Sequence, residues 1–258
     1  MTDSPLTILL LCLSALAAGA INSIAGGGTL ATFPALLTVL AAVPANATST
    51  LALLPGSFAS AWGYRTEVAA SKAILSRLFF PSLIGGIVGA FALTRLPEKL
   101  FENLVPWLLL TATTLMLAQR PIAKWIGATP HEAPSSATLA GVVFFQFLVG
   151  IYGGYFGAGI GILMLSSLSF MGIANIHQMN GVKAILASVM NGIGAAIFVF
   201  EGKIVWRYAL PMAAASIIGG YVGARLARKL PAATVRSIVI TIGFAVAGYT
   251  FYRRFANH

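Results

Sequence analysis

The sequence predicts an all-α polytopic membrane protein of about ten apolar segments, arranged as two inverted repeats of five. Three observations carry that expectation. The 258 residues are 58% hydrophobic and 9% charged, with a mean hydropathy of +0.90, whereas about a quarter of residues are charged in soluble domains. Apolar runs long enough to cross a ~30 Å hydrocarbon core recur along the whole chain. Two glycine-rich breaks, Ala25-Gly26-Gly27-Gly28 and Phe156-Gly157-Ala158-Gly159, interrupt those runs at corresponding places, with Gly26 matching Gly157 and Gly28 matching Gly159. Lipid cannot satisfy free backbone groups, so unwound backbone at membrane depth survives only inside protein or beside a water-filled cavity. A matched pair of such breaks points to the substrate site of a transporter built from repeats.

Apolar runs and polar punctuation place the segments at 6–24, 29–42, 47–64, 75–93 and 100–118, then 137–155, 160–172, 176–200, 208–226 and 235–251. The first resembles a signal-peptide core. The residues ahead of it carry Asp3 and no positive charge, so it reads as a retained transmembrane helix. The second and seventh are short, spanning roughly 20 Å at 1.5 Å per residue. They fit half-helices or re-entrant elements that follow the glycine breaks. Between the fifth and sixth lies a polar loop, 120–136, holding Pro121, Pro130, His131, Glu132 and Pro134. It links a first transmembrane repeat, 1–119, to a second, 137–258.

The halves share more than hydropathy. Ile84-Gly85-Gly86-Ile87-Val88-Gly89-Ala90 recurs as Ile218-Gly219-Gly220-Tyr221-Val222-Gly223-Ala224, and both continue to a basic residue, Leu and Pro. Eight of those fourteen positions are identical. Five crossings per half is an odd number, so the second copy enters from the opposite side, as in many secondary transporters.

Charge and residue types narrow the function. The net charge of +10, from 16 Lys and Arg against 6 acids, sits mostly in short connections between apolar runs. It reads as topology and contact with the lipid bilayer rather than nucleic-acid binding. Cys12 stands alone, which excludes an internal disulfide and a thiolate cluster. The acids Asp3, Glu67, Glu98, Glu102, Glu132 and Glu201 lie in the terminus, in loops or at segment ends. Cation transporters usually place a carboxylate inside the membrane. No metal-ligand cluster, no catalytic set and no phosphate-binding loop is read, so neither an enzyme nor a cofactor or metal is expected.

The candidate site follows from what remains. On the third segment Ser49, Gly56, Ser60 and Gly63 share a helical face. The register that aligns Gly26 with Gly157 maps them onto Asn180, Ala187, Asn191 and Gly194. Such a stripe fits close helix packing and equally fits a polar cavity between the halves, because the amides of Asn180 and Asn191 need partners in hydrocarbon. Lys183, less than one turn after Asn180, either snorkels to an interface or faces a buried anion. Gly27, Gly28 and Thr29 open one short helix, and Gly159, Ile160 and Gly161 the other. Helix N-termini suit oxyanions, though tight turns alone would also use these glycines. Asn46, Thr48 and Ser49 serve as a helix start or as ligand groups, and Asn175 as a cap. His177 reads as an interfacial residue.

Several of these motifs resemble the sulfite exporter TauE/SafE family. They are Ala25-Gly26-Gly27-Gly28 with Pro34 and Asn46-Ala-Thr48, then Gly153-Gly154-Tyr155-Phe156-Gly157-Ala158-Gly159 and Gly181-Val-Lys183 to Asn191. Glu201-Gly202-Lys203-Ile204-Val205-Trp206 and Gly219-Gly220-Tyr221-Val222-Gly223-Ala224-Arg225 continue the pattern. Gly161-Ile162 and Ser166-Ser167 depart from it. The resemblance implies a multi-pass permease of the bacterial inner membrane that moves sulfite or another small organosulfur anion, a sulfonate for example. A passive anion channel and a non-transport scaffold are the rival readings, and a homo-oligomer is left open. Export needs little further energy, because each negative charge moved outward gains ~2.3 kcal/mol per 100 mV. Ten basic residues lie opposite the termini and six beside them, so the positive-inside rule places both termini outside.

Overall fold

The computed structural model describes residues 4–24, 26–126, 136–169, 171, 173, 175–226 and 232–256. Ala25 of the first break, most of the expected linking loop and the Lys229-Leu230-Pro231 motif lie outside the described residues. Among the described residues there are eleven helices and no strand. They are α1 (Pro5–Ile24), α2 (Thr29–Leu37), α3 (Ala42–Gly63), α4 (Arg65–Ala69), α5 (Lys72–Arg95), α6 (Glu98–Ile126), α7 (Ser136–Tyr155), α8 (Ile160–Ser169), α9 (Ile176–Phe200), α10 (Trp206–Leu226) and α11 (Ala232–Ala256).

Five of them, α1, α5, α7, α9 and α10, are long and apolar enough to cross a membrane. α2 and α8 have 9 and 10 residues, half of what a crossing requires. Two boundaries differ from expectation. α3 begins at Ala42, because Pro44 is tolerated in a first helical turn, where its missing N–H costs nothing. Asn46, Thr48 and Ser49 are thereby interior to the helix and not at its cap. α6 runs through Pro121 to Ile126, so the polar stretch expected as loop from residue 120 begins as helix. Asn175 does cap α9, its side chain accepting from the His177 and Gln178 amides at 2.9 and 3.4 Å.

The surface is apolar, and the interior holds polar groups beside its apolar core. Leu6, Leu9, Leu13, Phe80, Phe144, Leu210 and Ile218 face outward, while Ser23, Thr32, Asn46, Gln146, Asn180 and Lys183 are buried. That distribution suits a lipid surround, where polar groups must find partners inside the protein.

Glycines set the closest helix contacts. α1 packs on α10 and α5 on α7. A Cβ on Gly219 would strike the Leu16 carbonyl, and one on Gly223 would lie 2.5 Å from Ala20 Cα. On the other pair, Gly85 and Gly89 stand in the same way against the carbonyls of Phe147 and Ile151. Without strong hydrophobic pressure between helices in lipid, such backbone approach and interhelical hydrogen bonds hold the assembly. Ser23 Oγ donates to Gly220 O at 2.8 Å, Ser216 Oγ to Ala52 O at 2.6 Å and Gln146 Nε2 to Ser82 Oγ at 2.9 Å. α3 packs on both α9 and α10. α2 packs in an apolar cluster with Phe101, Phe156 and Ile162 of α8, while most of α8 packs in another with Leu78 and Met190.

Candidate functional site

Both breaks turn through backbone that side chains resist. Gly26 and Gly27 have φ of 77° and 91°, and Gly157 and Gly159 have 79° and 77°; glycine adopts this region without steric cost. Each break joins a long helix to a half-helix, α1 to α2 and α7 to α8, and the two tips meet. A Cβ built on Gly26 would lie 2.9 Å from Gly161 Cα, and one on Gly161 the same distance from Gly26 Cα. The Lys183 side chain runs past this junction, with Cδ 3.1 Å from that second Cβ position.

Lys183 is 2% exposed, and its Nζ donates to Asn180 Oδ1 at 2.7 Å. Among the described residues no carboxylate pairs with it; the ion pair found there, Arg95 with Glu201 at 2.8 Å, lies at the ends of α5 and α9. A buried ammonium with a neutral amide as its partner is a strong attractor for an anion, because water cannot screen it. Beside it is a cavity of about 30 Å³, room for roughly two waters. Its walls are Asn22 of α1, Gly26 and Thr29 of the first tip, Ser57 and Ser60 of α3, Gly157, Gly161 and Met164 of the second hairpin, and Lys183 and Asn191 of α9.

Of the residues expected from sequence, Thr29, Gly161, Lys183 and Asn191 line this cavity, and Asn180 joins it through Lys183. Gly27 and Gly28 shape the first tip without lining the cavity, and the Gly28 N–H donates to Asn22 Oδ1 at 2.7 Å. Gly159 turns toward α6, where a Cβ would lie 3.3 Å from Ala112 Cβ. The three polar residues of α3 are engaged elsewhere. Asn46 Nδ2 donates to Tyr155 O at 3.1 Å, Thr48 Oγ1 accepts from Val205 N at 3.1 Å, and Ser49 Oγ bonds Thr32 Oγ1 at 2.6 Å. They tie α3 to α2, α7 and the segment before α10.

Asn22 and Ser57 were not anticipated as site residues, and Ser60 stood only on a stripe that fits helix packing or a polar cavity. Asn22 had a legible signal, a lone amide near the end of an otherwise apolar helix. Ser57 had none, because a serine in a membrane helix ordinarily bonds its own backbone.

Aromatic layers flank the cavity along the helices that leave it. One turn beyond Thr29 on α2, Phe33 meets Phe101 and Phe156 at ring distances of 6.3 and 5.2 Å, all three fully buried. One turn beyond Ser60 on α3, buried Tyr64 stacks on His177 at 6.2 Å and its hydroxyl donates to Ser23 O at 3.3 Å. Because α2 and α3 are consecutive helices joined by a short turn, they run in opposite directions, and the two layers lie on opposite sides of the cavity. Among the described residues no three of His, Cys, Asp and Glu cluster as a metal site would require.

The family model described as sulfite exporter TauE/SafE matches residues 11–250. A "Probable membrane transporter protein" of Haemophilus influenzae is 25% identical over 234 residues, covering 90% of this chain and 89% of its own length. "Probable membrane transporter protein ORF9" of Sinorhizobium sp is 28% identical over 92% of this chain and 89% of its own. "Probable membrane transporter protein YfcA" of Escherichia coli K12 is 24% identical over 96% and 91%.

Proposed function

The chain belongs to the sulfite exporter TauE/SafE family, a family of membrane transporters, and from that premise we propose that it is a secondary transporter exporting sulfite or another small sulfur-containing oxyanion across the bacterial inner membrane. One observation carries the reading: two glycine-opened tips meet on a buried, carboxylate-free lysine beside a small polar cavity. A charge-assisted hydrogen bond from Lys183 would hold the anion. Backbone made accessible by glycine would complete its shell.

The packing supports an inverted repeat of the two halves. Leu16 and Ala20 of α1 meet Gly219 and Gly223, while Phe147 and Ile151, their counterparts in the second half, meet Gly85 and Gly89. The contacts advance together along each pair, so α1 runs parallel to α10 and α5 to α7. Gly56 and Gly63 of α3 advance in the same way against Ser216 and Ala224 of α10, making α1 and α3 parallel. α3 and α5 are joined by a short connection and run oppositely. α1 and α7 therefore enter from opposite faces, the arrangement that lets one half rock against the other.

Buried aromatics one helical turn from a cavity of only about two waters favour alternating access over an open channel. The test is uptake into proteoliposomes of sulfite, thiosulfate, sulfoacetate and sulfate. Saturable flux of at least one sulfur oxyanion, lost in Lys183→Ala, is expected. Conductance without saturation would replace the transporter by a channel, and no flux of any of the four would refute the anion reading.

A further inference from the structure

Buried serines in this protein follow a rule. Ser23, Ser57, Ser71, Ser82, Ser167, Ser188 and Ser216 each donate to a backbone carbonyl, and Ser49 pairs with Thr32. Among the described residues Ser60 is the exception. It is 2% exposed, its Oγ has no hydrogen-bond partner, and it lines the cavity at Lys183. The usual acceptor for a helical serine, the carbonyl four residues earlier, is here the Gly56 carbonyl, which is pressed against Gly220 of α10. An unmade hydrogen bond at a buried hydroxyl costs free energy, so this hydroxyl calls for an occupant that accepts a hydrogen bond.

We propose that Ser60 is a substrate-binding residue whose hydroxyl donates, from α3, to an oxygen of the bound oxyanion. The proposal rests on the anion reading above and adds a second, uncharged contact from α3. Asn191 is the counterpart of Ser60 in the register that aligns Gly26 with Gly157, and it lines the same cavity from α9. Corresponding positions of the two halves thus line one cavity. Lys183 supplies attraction to any small anion. A fixed hydroxyl distinguishes anions by whether an oxygen reaches it, because a polar site left unpaired rejects a ligand that cannot complete it.

The experiment is sulfite titration of the purified full-length protein by calorimetry, beside thermal unfolding without the anion, for wild type, Ser60→Ala and Ser60→Thr. Ser60→Ala should weaken sulfite binding about tenfold, the order expected for a lost hydrogen bond to a charged acceptor. Ser60→Thr should keep most of the affinity. Without sulfite, Ser60→Ala should unfold at the wild-type temperature or above, since the lost hydroxyl had no partner in the protein. A wild type that binds sulfite, with Ser60→Ala matching its affinity, would overturn the role of Ser60 and leave the anion reading standing. So would a marked loss of stability in sulfite-free Ser60→Ala, which would reveal a structural bond. A wild type that binds none of sulfite, thiosulfate and sulfoacetate would overturn both.

Discussion

At the first glycine tip the Gly28 N–H donates to Asn22 Oδ1; at the second, Gly153 occupies the place of Asn22 and has no side chain with which to reach Gly159. The tips share a positive φ at Gly26 and Gly157 but differ in chemistry. The first satisfies its own helix start, while the second presents Gly161 beside the lysine. The same division holds on the long helices: Lys183 of α9 corresponds to Ala52 of α3, and Asn191 to Ser60. Electrostatics limits how far the two positions can match. A lysine at residue 52 as well would place two buried like charges within one small protein interior, each disfavouring the other's charged form. The buried cation thus lies on α9 alone, while neutral polar groups line the cavity from both α3 and α9.

The largest test of that contrast is removal of the cation. Lys183→Ala should lower sulfite transport by roughly 10- to 100-fold, the range for a hydrogen bond between charged groups, while the protein still inserts and folds. Lys183→Arg should also be impaired, because a planar fork does not fit a site shaped for a point charge. Initial rates in proteoliposomes decide this, and normal rates for Lys183→Ala would erase the division between the halves.

Next in size is the meeting of the tips. Gly26→Ala combines a positive φ with a contact on Gly161 backbone, and should destabilise by about 1–3 kcal/mol. Gly141→Ala, where a Cβ meets nothing within 4 Å, should instead be neutral or stabilise by up to about 1 kcal/mol. Thermal unfolding in detergent compares the two; equal unfolding temperatures would mean that the tips are not in contact.

Asn22→Ala should cost about 1 kcal/mol by leaving the Gly28 N–H unpaired, read as a lower unfolding temperature. An unchanged temperature would show that the first tip is no better satisfied than the second. Smallest is Arg95→Ala. Ala70 stands where the first half would need a counterpart of Glu201, so the Arg95–Glu201 pair has no partner pair in the other half. With side chains 70% and 28% exposed, it should contribute at most about 1 kcal/mol in a double-mutant cycle with Glu201→Ala.

The helices were legible because membrane segments declare themselves by length and hydropathy, and the breaks because glycine runs are conspicuous among apolar residues. Lys183, Gly161, Thr29 and Asn191 were legible for the same reason, as polar groups or glycines that lipid would reject unless something enclosed them. Asn46, Thr48 and Ser49 met that criterion too, yet the structure engages them in ties between helices, since hydrocarbon demands partners without specifying which. α4 was not foreseen, because five residues of mixed character show no periodicity. Ser60 could not be told from the other serines by sequence, as what distinguishes it is a carbonyl already pressed against another helix.

The glycine-lined pairs also bear on biogenesis. α1 finds its closest neighbour in α10, and α5 in α7, so each waits for a helix synthesised from beyond residue 135. A nascent chain that has emerged only through α6 holds Gly85 and Gly89 as an open groove in the bilayer, with no helix to close it. Closing that groove requires α7, as covering the facing side of α1 requires α10. A chain truncated after α6 would keep the packing of Leu30, Phe33 and Phe101 but would leave the glycine faces of α5 without their partner.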